Sequence, residues 1–268
     1  MNKPLLTAFT AVSLAMSTPA VEIVAHRGAS FDAPENTVAS ARLAWEQKAD
    51  ALELDVYLSK DGRLVVIHDE SLKRTAGTAK KVSAMTLSEI AKLEAGAWKD
   101  VRWRGEKIPQ LDDMLATVPA GKRVFIEIKC GPEALDELAT TLQRCPLKPA
   151  QTVIISFKYE VVKQAKARFP DREVCWIADF KQDAAGTWQP AIGRLVEQAK
   201  AANLNGLDLS FRGPLDAAAA KEIKAAGLKL YVWTVDGAED ARRLRDLGVD
   251  GITTNRPGWL REQLAVSP

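Results

Sequence analysis

The chain holds two histidines, His26 and His68. Each closes a short apolar run, Ile23-Val24-Ala25-His26 and Leu64-Val65-Val66-Ile67-His68. Imidazole exchanges protons near neutral pH, so two of them facing one pocket form an acid/base pair. Between the two lies Leu52-Glu53-Leu54-Asp55-Val56. On a strand, residues i and i+2 share a face, so Glu53 and Asp55 point the same way. Two like charges side by side are costly unless a cation or a proton shares them. Phe125-Ile126-Glu127-Ile128-Lys129 repeats the device with one acid and one base. Glu53, Asp55 and Glu127 together suit a hard divalent ion, Mg²⁺ or Ca²⁺. The lack of spare histidine or cysteine ligands argues against zinc. Arg27 pairs bidentately with phosphate, Lys129 adds a point charge, and Gly28 lets backbone approach a ligand closely. A metal, a phosphate cradle and an acid/base pair describe phosphodiester cleavage. Each part alone has a plainer reading: a structural histidine, a solvated edge strand, a cross-strand ion pair. Their joint occurrence at the ends of successive strands favours the chemistry.

Groups delivered at strand ends require strands with a common direction. Strand-like runs alternate with amphipathic helices along the whole chain. The runs are Ile23–Ala25, Ala51–Val56, Arg63–Ile67, Val124–Ile128, Thr152–Ile155, Glu173–Ile177, Gly206–Leu209, Lys229–Thr234 and Gly251–Thr253. Helices are predicted over Thr37–Lys48, with Asn36 as N-cap, and near 133–143, 161–168, 192–202, 216–226 and 238–247. Gly227 and Gly248 stand where helices should end. This alternation predicts an α/β fold, an irregular (β/α)8 TIM barrel, with nine runs for eight places. An open doubly wound sheet is less favoured, because no Gly-x-Gly-x-x-Gly follows the first strand. The link from the second run to the third, through the turn signal Asp61-Gly62, is too short for a helical crossover. If those runs are parallel, the barrel is irregular there. Residues 70–107 break the rhythm and read as a short insertion after the third strand, with one short helix over Leu87–Leu93. Pro109 then leads into a helix carrying Leu111, Met114 and Leu115.

Lysine plus arginine is 37 and aspartate plus glutamate is 35, a net charge of +2. With no basic run, nothing points to nucleic acid. No apolar stretch reaches membrane-spanning length. Residues 1–20 read as a secretory signal: Lys3, an uncharged run over Leu5–Met16, then Thr18-Pro19-Ala20. The mature domain would be 21–268, in the periplasm or outside the cell; the alternative is a cytoplasmic protein with a disordered tail. Cys130, Cys145 and Cys175 match no zinc spacing, and Cys130 and Cys145 are a candidate pair in an oxidising compartment.

The blocks now assembled resemble the glycerophosphodiester phosphodiesterase family over nearly the whole mature chain. They are His26-Arg27-Gly28 with Pro34-Glu35-Asn36-Thr37, then Glu53-Leu54-Asp55-Val56 with Ser59-Lys60-Asp61-Gly62, then His68-Asp69 with Leu72, Arg74 and Thr75. Ala95-Gly96-Ala97-Trp98 and Gly105-Glu106-Lys107-Ile108-Pro109 follow in the insertion. Glu127-Ile128-Lys129, Ser156-Phe157, Val232-Trp233-Thr234-Val235 and Gly248–Thr253 complete the set. Asp236, where the family often has asparagine, is a mild departure. The resemblance implies a divalent cation on Glu53, Asp55 and Glu127, with His26 and His68 as acid and base. It implies phosphate held by Arg27 and Lys129, and Trp233 in the pocket wall, though packing explains Trp233 equally well. Glu35 and Asn36 would shape the first loop and helix cap. The expected substrate is a small glycerophosphodiester, cleaved to sn-glycerol 3-phosphate and an alcohol. The alternative is a phospholipase D-like lyase releasing cyclic phosphate from lysophospholipid or sphingolipid head groups.

Overall fold

The computed structural model describes residues 21–265, and the secretory-signal reading of 1–20 lies outside them. Eight parallel strands close into a barrel. They are β1 (Glu22–His26), β2 (Ala51–Leu58), β4 (Arg123–Ile128), β5 (Thr152–Ser156), β6 (Glu173–Ala178), β9 (Gly206–Ser210), β10 (Lys229–Trp233) and β11 (Gly251–Thr254). β1 shuts the ring by pairing with both β11 and β2. The remaining strands lie outside it: β3 (Leu64–Val66) and the two-residue arms of a small hairpin, β7 (Lys181–Gln182) and β8 (Trp188–Gln189).

The ninth run is therefore β3, and it is antiparallel to β2, with Val56 opposite Val66 and Leu58 opposite Leu64. Reversal resolves the short connection. A turn closed by Ser59 N–H to Arg63 O and Gly62 N–H to Ser59 O sends the chain straight back. The next parallel neighbour of β2 is β4, in register from Ala51 opposite Arg123 to Val56 opposite Ile128. The segment between covers one end of the barrel with its own small core of Val65, Ile67, Leu72, Val82, Met85 and Ile90. It carries α2 (Lys73–Ala76) and α3 (Leu87–Ile90) and leads into α4 (Leu111–Leu115).

Outer helices pack on the ring because each has an apolar stripe. In α5 (Ala134–Arg144) the stripe is Leu135, Leu138 and Leu142, spaced three and four apart. α6 (Tyr159–Arg168), α7 (Ile192–Ala201), α8 (Ala217–Ala225) and α9 (Ala238–Asp246) follow the same plan. Gly227 and Gly248, at positive φ, stop α8 and α9 as expected. α10 (Pro257–Ala265), which no motif announced, ends the described chain.

α1 spans Val38–Glu46, and its N-cap is Thr37 rather than Asn36. The Thr37 hydroxyl accepts from Ser40 N–H, and the Ser40 hydroxyl accepts from Thr37 N–H. Asn36 is displaced because the loop before it is wound tightly. Arg27 (φ 55), Gly28 (φ 86) and Asn36 (φ 58) all sit in the left-handed region. Gly28 does not form part of the cavity wall. A Cβ there would lie 2.4 Å from Ser40 Oγ, so the missing side chain admits α1, not a ligand. The three cysteines are unpaired, and burial pushes the Cys175 thiol well up. No helix among the described residues is long and apolar enough to cross a membrane.

Candidate active site

Alternation along the strands decides which groups reach the axis. Leu52, Leu54 and Val56 pack outward with the helices, whereas Glu53 and Asp55 turn inward. Phe125 fills the ring beneath Glu127. At the C-terminal ends of the strands the inward groups surround a cavity of about 140 Å³. One half of its wall is His26, Arg27, Glu53, His68, Glu127 and Lys129. The other half is mainly apolar, with Ile155, Phe157, Ile177 and Trp233. Barrels of this kind present their reactive groups at this end.

Glu53, Asp55 and Glu127 are buried, and one carboxylate oxygen from each lies within 4.8 Å of the others. Burial and the neighbouring carboxylates push Glu53 well up and Glu127 up to about 7. Burial acts on Asp55 too, but Arg27 and Lys129 hold it below the usual range. Arg27 Nε is 3.3 Å and Lys129 Nζ 3.4 Å from Asp55, and Lys129 Nζ is 2.9 Å from Glu127. Two cations thus face three carboxyls. A buried oxygen-only set with excess negative charge fits a hard divalent cation.

Supporting residues aim these groups. Asn36 Nδ2 donates to Asp55 Oδ2 at 2.8 Å, and Asn36 Oδ1 accepts from Asp55 N–H. The left-handed Arg27 backbone donates to Glu53 Oε2 at 2.9 Å, while its guanidinium reaches Glu35 at 3.0 Å. Glu35 and Asn36 therefore hold the charged groups in place. Trp233 serves both wall and packing: its ring sits edge-on to Phe157, centroids 5.5 Å apart, and its indole N–H donates to Asp208 O.

The two histidines have unlike partners. His26 Nδ1 is 2.7 Å from Asn255 Oδ1. Asn255 Nδ2 donates to Asp236 Oδ2 at 2.6 Å, so the amide oxygen faces the ring and Nδ1 carries the proton. Nε2 is then a lone pair. Burial, with Arg27 adjacent, lowers His26 to about 4. His68 Nδ1 instead meets the Asp69 carboxylate at 2.7 Å. The Arg74 hydrogen bond pulls Asp69 down to about 2, and burial lowers His68 while Asp55 and Asp69 pull it back. Arg74 closes the network with two bonds to Glu35, at 2.9 and 2.8 Å.

All eight residues singled out by sequence thus line one cavity or its acidic floor. Sequence reasoning did not single out Asn255 or Asp208. It quoted Asp236, Asp69 and Arg74 without a role. Asn255 follows β11 and meets His26 only through the β1–β11 pairing, which no local pattern announces. Asp208 sits in Leu207-Asp208-Leu209, where an inward carboxylate reads the same as an outward one. Burial, with the Glu127 charge nearby, pushes Asp208 up to about 8.

Known proteins resemble the chain in sequence and in fold. The sequence model of the Glycerophosphoryl diester phosphodiesterase family matches residues 26–259. A glycerophosphodiester phosphodiesterase of Caldanaerobacter subterraneus subsp. tengcongensis is 34% identical over 245 residues, covering 89% of this chain and 95% of its own. One from Bacillus subtilis is 33% identical over 258 residues, covering 90% and 86%. Among solved structures, an Oleispira antarctica phosphodiesterase in complex with the product sn-glycerol-3-phosphate superposes with TM-score 0.82 at 28% identity, covering 91% and 97%. A glycerophosphodiester phosphodiesterase from Agrobacterium tumefaciens gives 0.75 at 31%, covering 91% and 100%. The chain belongs to the glycerophosphoryl diester phosphodiesterase family and is a phosphoric diester hydrolase.

Proposed function

We propose that this enzyme hydrolyses glycerophosphodiesters to sn-glycerol 3-phosphate and an alcohol, with His26 as base and His68 as acid. The observation that carries the reading is the pairing of a buried carboxylate triad with two differently partnered histidines. Glu53, Asp55 and Glu127 would hold one divalent cation, Mg²⁺ or Ca²⁺, which when bound supplies Lewis-acid polarisation of the phosphoryl group. Arg27 and Lys129 flank the triad and orient the phosphate. Trp233 bounds the glycerol side of the cavity. His26 is neutral at pH 7, with Nε2 free to take the proton of the attacking oxygen, water or glycerol hydroxyl. Its amide partner pulls the pKa back up, but an uncharged oxygen does so less than a carboxylate would, and burial with Arg27 outweighs it. His68 has a carboxylate partner that stabilises imidazolium, so it is the better donor to the departing alkoxide. Position agrees with this assignment. His68 and Lys129 also line a neighbouring open groove with Tyr57, Glu70 and Arg74, where the variable alcohol has room to leave.

The test is release of sn-glycerol 3-phosphate from a panel of glycerophosphodiesters, coupled to a glycerol-3-phosphate oxidising enzyme, with and without chelator. We expect activity that chelator abolishes and one of the two cations restores. His26→Ala and His68→Ala should each lose about 10²–10⁴-fold in kcat. Persistent activity in chelator rules out the metal role. A cyclic phosphate that accumulates as end product in phosphorus NMR replaces hydrolysis with the lyase reaction.

A further inference from the structure

The cavity is polar on the side of β1, β2 and β4 and mainly apolar on the other. In the closed ring, β9 stands diametrically across from β2. From that far wall Asp208 lines the cavity, only 3% exposed. Its register neighbours are Ile177 and Tyr231, and its Oδ1 has no hydrogen-bond partner among the described residues. The other carboxyls of the cavity are answered by Arg27, Lys129 or Asn36. Burying a polar group without a partner is unfavourable, and a barrel wall gains nothing in packing from a carboxyl that leucine would not provide. Such a group in a ligand cavity points to a ligand atom.

That atom follows from direction, on the reading that the substrate is a glycerophosphodiester. Arg27 and Lys129 anchor the phosphate at the β1/β2/β4 side, and the alcohol leaves over the groove shared by His68 and Lys129. The glycerol carbons then run the other way, across the cavity toward β9. We propose that Asp208 receives the terminal hydroxyl of the glycerol moiety and is the residue that selects glycerol over other alcohols. A hydroxyl both donates and accepts, so it pairs with a carboxyl in either protonation state. A site built to bond a hydroxyl rejects the analogue without it, because the buried group is left unpaired.

The experiment compares binding of sn-glycerol 3-phosphate with that of 2-hydroxypropyl phosphate, which lacks only the terminal hydroxyl. Calorimetry is run on the full chain with Mg²⁺ or Ca²⁺ supplied. The wild type should prefer sn-glycerol 3-phosphate by about tenfold. Asp208→Leu should erase that preference and leave affinity for 2-hydroxypropyl phosphate within about twofold. Asp208→Asn, which keeps a hydrogen-bonding group of the same shape, should retain most of it. Asp208→Ala makes the same test if leucine perturbs the fold. A preference that survives in the leucine or alanine variant overturns the proposal, as does equal weakening of both ligands. Wild-type turnover of glycerophosphocholine, followed alongside, separates the two readings. Turnover with an unaltered preference in the variants removes only the role of Asp208, and no turnover removes the glycerophosphodiester reading itself.

Discussion

At the scale of single residues, the unequal partners of His26 and His68 divide the proton work. Asp69 is ionised across the neutral range because Arg74 holds its carboxyl at about 2. It raises the affinity of His68 for a proton. Asp69→Asn removes that charge, so His68 should lose its proton at lower pH. Since the acid must be protonated to act, the alkaline limb of kcat against pH should move down, by about one unit. A limb that stays put or moves up removes His68 as the acid. Asn255→Leu should act differently. It frees the His26 tautomer and lowers kcat by about 10²-fold without shifting that limb. The two histidines and three carboxylates were legible because each ends or shares a face of a local apolar run. Their orienting groups were not: Asn255 reaches His26 through ring closure, and Arg74 acts on His68 only through Asp69, held there by a loop-to-loop pair with Glu35, and neither leaves a local period.

At the scale of elements, His68 stands just beyond a three-residue edge strand paired with β2 on one side and held on the other by a single bridge from Val65 to Gln110. Two ties from the following segment to the loop after β1 hold that end of the site. Arg74 grips Glu35 with both terminal nitrogens, and Lys99 Nζ donates to Ser30 O at 2.8 Å. Both ties are partly exposed, so their worth lies in placement rather than in global stability. Arg74→Met should therefore lower kcat by about tenfold or more, since small misplacements of an acid are costly. Limited proteolysis should cut within 70–107 sooner, with Tm almost unchanged. A large fall in Tm with intact kcat would show that the network holds the fold instead. The reversal at β3 was hidden for a related reason. Leu64–Val66 is as apolar as a barrel strand, and the short turn before it excludes only a helical crossover. What excludes it from the ring is β4, the true parallel neighbour of β2, far along the chain.

The whole molecule has two poles, and both carry inward charges. The strand ends hold the site, while the strand beginnings hold Glu22, Arg123, Glu173 and Lys229. In sequence the two sets look alike, as a charged residue two places from an apolar one on the same face. Only strand direction and barrel stagger separate a plug from a pocket. At the lower pole the charges neutralise one another. Arg123 reaches Glu22 and Glu173 at 2.8 Å each, and Lys229 Nζ and the Tyr231 hydroxyl donate to Glu173 at 2.7 Å. Burial already raises the Glu22 carboxyl against the pull of Arg123. Arg123→Met leaves both glutamates short of a partner and should cost about 3 kcal/mol, lowering Tm by about 6–12 °C for a chain this long. The sign with pH follows from proton uptake. Without Arg123 the folded-state pKa of Glu22 rises further above its unfolded value, so the folded variant binds more protons than the unfolded chain. Acid then favours folding. The gap in Tm between wild type and variant should therefore narrow from pH 7 to pH 5. Well below Tm, kcat/KM should stay within about twofold, because stability is set at this face and chemistry at the other. Calorimetric melting across that pH range, with activity measured on the same samples, decides it. A gap that widens toward acid, or a kcat/KM that falls with Tm, would mean that the two poles are coupled through the barrel core.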